Sequence, residues 1–139
     1  MEREKRWQAL HEANAAVEAA AAELEREDTR QTRVAVKEAT RVYTLCLAHV
    51  IGLPAAQRYA VRMQAYRDAI ERSASLNATM SMKPSKDAAD VAALVDVGKE
   101  QIAAEAAFKR ASAEIVTAVT RAKARDKVPD AREDDEGES

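Results

Sequence analysis

Apolar residues recur along this chain at steps of three and four, the spacing that lines one face of a helix, and nowhere at the step of two that marks a strand. Leu94, Val97, Gln101, Ala104, Phe108, Ala111, Ile115, Ala118 and Ala122 make the longest such seam. Pro84 and Ser85 open it, with Asp87 in the first turn, where unpaired backbone N–H groups favour an anion. Arg121, Lys123, Arg125 and Lys127 crowd its last turns, where a cation is favoured, and Val128-Pro129 stops it. At about 1.5 Å per residue, a helix over 85–127 is roughly 64 Å long, too long for the core helix of an ordinary compact domain. The pattern predicts an elongated helical hairpin.

Ahead of it, Trp7, Leu10, Asn14, Val17, Ala21 and Leu24 form one narrow seam. From Glu25 to Arg33 there is no apolar residue, so no helix there has a face to bury; Asp28 or Thr29 can cap a new helix, or one exposed helix runs through. Val36, Ala39, Tyr43, Cys46, Val50 and Leu53 restart the seam, and Val42, Leu45 and Ile51 widen it to a face buried on more than one side. Gly52-Leu53-Pro54 bends the rod, which resumes with Tyr59, Met63, Tyr66 and Ile70. The expected fold is all-α, an elongated antiparallel three-helix coiled-coil bundle. Its parts are an N-terminal amphipathic helix (1–28), a long hairpin (29–127, arms 29–80 and 85–127, turn near 77–85) and a disordered acidic tail (128–139).

Composition supports helix throughout: three Gly, three Pro and 4% aromatics in 139 residues. Cys46 is the only cysteine, which excludes an internal disulfide or cysteine-based zinc site and makes a reducing, cytoplasmic setting the default. The longest uncharged run, Val42 to Gln57, is short and polar for a membrane span, and the N-terminus lacks the features of a signal. With two histidines, no Gly-rich phosphate loop and no metal-spaced cluster, no enzyme is expected: no catalytic residue, no metal, no cofactor. The net charge of −2 conceals a segregation, for the middle of the chain is basic and both ends are acidic. A basic middle suits anionic lipid or an acidic protein segment, and equally an ordinary solvated surface.

From Tyr43 onward the order of marks resembles the BAR domain of sorting nexins of the retromer type. These marks are Tyr43-Thr-Leu-Cys-Leu-Ala, Gln57-Arg58, Tyr66-Arg67-Asp68-Ala69, Lys83-Pro84-Ser85-Lys86 and Phe108-Lys109-Arg110-Ala111-Ser112, followed by the basic run from Arg121 to Lys127. The chain departs from that family in having no phosphoinositide-binding PX domain ahead of the helices and in a third helix that stops at Lys127. The resemblance implies a curved helical dimer in endosomal protein sorting and transport, peripheral on the endosomal membrane. Its basic side chains would meet anionic headgroups, each contributing on the order of 1 kcal/mol. Arg58, Arg62, Arg67, Arg72, Lys83 and Lys86 are the candidates for lipid or an acidic partner. Trp7, Leu10, Tyr43, Tyr66, Phe108 and Ile115 are the candidates for helix packing. The expected partner is another helical protein, as homo- or heterodimer, with anionic lipid beside it and no nucleic acid. Two other readings stand next to this one: a small helical adaptor or chaperone for an acidic segment, like tubulin-binding cofactor A, and a purely structural coiled-coil subunit.

Overall fold

The structure, a computed structural model, describes residues 2–128; Met1 and residues 129–139, which include nearly all of the expected acidic tail, lie outside the described residues. The chain is all-α, and no strand occurs among the described residues. Among the described residues there are four helices, α1 (Arg3–Arg26), α2 (Arg30–Ile51), α3 (Leu53–Ser81) and α4 (Ala88–Asp126). This corrects the expected three-helix bundle, because the arm 29–80 is two helices. Gly52 divides it, with φ 97° and ψ 150°, a backbone region essentially reserved for glycine. Its N–H donates to the Ala48 carbonyl and closes α2, while its own carbonyl accepts from Ala56 N at 3.3 Å and starts α3. Pro54 then falls in the first turn of α3, where its missing N–H costs nothing.

The charged stretch after α1 is likewise a break. Glu27 is extended, and Thr29 caps α2: its hydroxyl accepts from Thr32 N at 3.1 Å, while the Thr32 hydroxyl accepts from Thr29 N at 2.9 Å. Arg33 adds a two-pronged pair to Asp28, at 2.6 and 3.1 Å, which holds that carboxyl below its usual range. The short link returns α2 onto α1, and the two pack together.

The chain divides into two compact units. In the first, residues 2–57 and 115–128 among those described, the core is Leu10 and Ala13 of α1, Val36, Leu47 and Val50 of α2, Ala56, and Ile115 and Ala122 of α4. Leu47 is fully buried, worth about 1.5–3 kcal/mol relative to exposure. The expected widening of the α2 face fails at Val42 and Leu45, while Ile51 is half-buried. Val42 and Leu45 are 39% and 49% exposed, because Leu45 lies two residues, about 200° of helix, from Leu47. Asn14 is also exposed, and its neighbour Ala13 is buried instead.

The second unit, Arg58–Glu114, is an antiparallel hairpin of α3 and α4. Tyr59 and Tyr66 face Phe108, Arg72 pairs with Glu100 and Lys83 with Asp90, so partners advance along α3 as they retreat along α4. Met63, Ala69, Met80 and Ala111 fill the seam. The turn runs from Met82 to Asp87, later than 77–85, because α3 continues to Ser81 and Asp87 stands as the cap before Ala88. Asp87 Oδ1 accepts from Asp90 N at 2.8 Å and Asp90 Oδ2 accepts from Asp87 N at 3.1 Å, so each carboxylate satisfies an N–H of the helix start.

Gly52→Ala should destabilise the chain by about 1–3 kcal/mol, since alanine at this φ is strained. Urea unfolding followed by helicity should show a lower midpoint at unchanged slope; an unchanged midpoint would mean that the helix break relaxes at no cost.

Candidate interaction surface

Within the hairpin unit the aromatic residues converge. Tyr59 and Tyr66 are seven residues apart, two turns of α3, and so share a face. Phe108 stands against both, with ring centroids 5.8 and 5.5 Å away, within the range of favourable aromatic pairing. All three rings are half-buried. Burial pushes the Tyr59 phenol up, opposed by the charge of Arg67 and a hydrogen bond with Ser112. Burial also pushes the half-buried Arg67 guanidinium down, opposed by Tyr59.

The six candidate cations all belong to this unit, in different surroundings. Arg58 and Arg62 are exposed and share a face of α3, while Arg67, five residues beyond Arg62, is turned about 140° from it. Arg72 is held in an ion pair with Glu100. Lys83 donates to Asp90 at 2.7 Å, whose side chain is only 12% exposed. That hydrogen bond raises the lysine pKa and, with the backbone N–H of Asp87, lowers that of Asp90. Lys86 is exposed at the turn. The six therefore form no single basic face. Sequence reading missed Asp90, the one buried charged residue among those described. Its position three residues after a capping Asp was the available signal.

Of the candidate packing residues in the first unit, Leu10 and Ile115 are buried, and Tyr43 and Trp7 are half-buried. Trp7 joins a polar latch that the sequence did not disclose. Its Nε1 donates to Asp126 Oδ2 at 3.0 Å, and Lys123 Nζ lies 5.9 Å from its ring centre. Arg3 donates to the Asp126 carbonyl at 3.4 Å, and Arg125 donates to the Val50 carbonyl at 3.3 Å, near the end of α2. The end of α4 is thus tied to the start of α1 and the end of α2. The Asp126 carboxyl, 9% exposed, is lowered from 3.8 to about 2 by hydrogen bonds from Arg125 and then Trp7.

Two surfaces of the hairpin unit are open. One is a groove of about 580 Å³ lined by Asp68, Glu71, Arg72, Leu76, Thr79 and Val97. The other is an aliphatic stripe on α4, where Val91, Val95 and Ile102 are 51%, 48% and 70% exposed at spacings of four and seven. Ile70 and Ile102 lie two residues from Arg72 and Glu100, about 200° round their helices, so they stand away from the side where that ion pair closes.

Among the described residues no group of His, Cys, Asp and Glu is placed to hold a metal ion, and no helix is long and apolar enough to cross a membrane. Comparison with protein-family models, with curated proteins and with solved structures finds no match. The likeness of 43–127 to sorting nexins rests on the sequence marks alone.

Phe108→Ala should cost about 2–3 kcal/mol, less than the roughly 3–5 of a fully buried ring, because this ring is half-buried. Chemical denaturation of the variant measures it. The Asp126 latch should also be visible in acid. Because its folded pKa lies below the ordinary value, the contribution is whole at neutral pH and is lost as pH falls through about 2. Trp7, the only tryptophan, should report this as an emission change centred there. Asp126→Ala should remove that transition; its persistence would place the titration elsewhere.

Proposed function

We propose that the chain is a helix-docking interaction module, and that its working surface is the aliphatic stripe of α4. The observation that carries this reading is the exposure of Val91, Val95 and Ile102 along one side of a helix, about 100–140° round from Phe108, which packs on α3. Gly98 lies within this stripe. An added Cβ there meets nothing within 4 Å, so the fold itself does not require glycine, although glycine in a helix interior costs about 1 kcal/mol. A residue without a side chain suits the close approach of another backbone. The partner is an amphipathic helix laid along the stripe, with anchors at steps of three and four. A second copy of this chain supplies such helices and is the first partner to test.

Lipid is the weaker reading, since Arg72 and Lys83 are held by carboxylates of the same unit. Sedimentation equilibrium of the full chain should show concentration-dependent association that Ile102→Glu weakens at least tenfold, with helicity unchanged because the side chain is exposed. A chain that stays monomeric at its highest soluble concentration, or associates equally as the variant, would overturn self-docking.

A further inference from the structure

The outer face of α2 carries a second stripe. Arg30, Val34, Lys37, Arg41 and Leu45 follow at steps of four, three, four and four, which keeps them within one arc of the helix, and all five are exposed. The stripe lies well round the helix from Val36, Leu47 and Val50, which are buried. Arg41 pairs with Glu38 at 2.6 Å, an exposed contact of the kind that contributes little. No ion pair is described for Arg30 or Lys37. The face therefore alternates aliphatic and cationic groups, which suits an anionic segment with both backbone and charge to offer.

We propose that this stripe, from Leu45 back to Lys37, is a docking surface for the chain's own acidic segment 130–138. Two observations select that occupant. The first is charge: residues 130–138 hold Asp130, Glu133, Asp134, Asp135, Glu136 and Glu138 against the single Arg132. The second is reach. Val128 N donates to the Lys123 carbonyl at 2.9 Å, so the backbone leaves at the end of α4, and the neighbouring Arg125 touches the Val50 carbonyl. From Val50, Leu45, Arg41 and Lys37 lie about 8, 14 and 20 Å back along the α2 axis. Residues 129–139, fully extended, span at most about 37 Å, enough to cross from the end of α4 to Lys37. Exposed ion pairs are individually weak, but the tether makes the contact intramolecular, at an effective concentration that a free peptide lacks. The segment covers the stripe at low salt and leaves it at high salt. Any other anionic partner of α2 must displace it.

The test uses the full chain, with Cys46→Ala and a spin label on Ser139→Cys, and reads amide signals by NMR. At about 0.01 M ionic strength, where the Debye length is about 30 Å, amides of 37–45 should be broadened. At about 1 M, where it is about 3 Å, the broadening should be lost. Lys37→Glu with Arg41→Glu should abolish it at low salt, and so should replacing Glu133, Asp134, Asp135 and Glu136 by their amides, a change that leaves α2 untouched. Absence of low-salt broadening, or broadening that survives both sets of changes, overturns the proposal. Amide shifts in the stripe that instead move with protein concentration overturn it too, and assign the face to a second copy.

Discussion

The backbone of Gly52 is the constraint on which the rest of the packing depends. With φ at 97° it ends α2 and, through its carbonyl, begins α3, so one continuous arm becomes two helices. α2 is left to pack on α1, while α3 runs beside α4 with Phe108 against Tyr59 and Tyr66. A side chain at this position opposes the conformation that separates the two. The starts of α2 and α4 are settled by polar side chains, by Thr29 with Thr32 and by Asp87 with Asp90.

Each helix buries one narrow face, and the consequence is functional. The core consists largely of Ala, Val and Met at single-seam positions, and among the described residues Leu47 is the one large side chain wholly enclosed. Aliphatic residues outside the seam, such as Ile102 and Val95 on α4 and Val34 and Leu45 on α2, therefore remain at the surface. Helices that satisfy their backbones internally can present such faces without strain, and two faces of different character result. The α4 stripe is aliphatic with a glycine gap; the α2 stripe mixes aliphatic groups with cations.

The candidate site was legible only in part. Phe108 and Tyr66 were readable as packing residues because they recur at helical steps, and they do meet. Cations were readable as a basic middle, but their fates were not: Lys83 finds Asp90 across the turn, Arg72 finds Glu100 on the facing helix, and Arg67 is half-buried. These outcomes depend on the register between helices, which no spacing within one helix reveals. The Trp7–Asp126 latch was hidden for the same reason, its partners standing at nearly opposite ends of the described chain.

The sequence by itself determined that this protein is helical, that Thr29 could cap a helix, and roughly where the hairpin turns and its last helix ends, since these follow from dihedral preferences and bonds a few residues long. It placed the seams nearly correctly, burying Leu10, Val36, Val50, Met63, Ala111 and Ile115. It erred by one residue at Asn14, Cys46 and Ile70, where Ala13, Leu47 and Ala69 go in instead, and it placed the exposed Leu53 in the seam. A strict three-four step assumes 3.5 residues per turn, and a straight helix of 3.6 drifts about 20° per heptad. What only the tertiary structure decided is the number of helices and the pairing of charges. The chain between Gly52 and Pro54 admits either a kink or a break, and the break is taken at Gly52, whose φ of 97° belongs to neither helix.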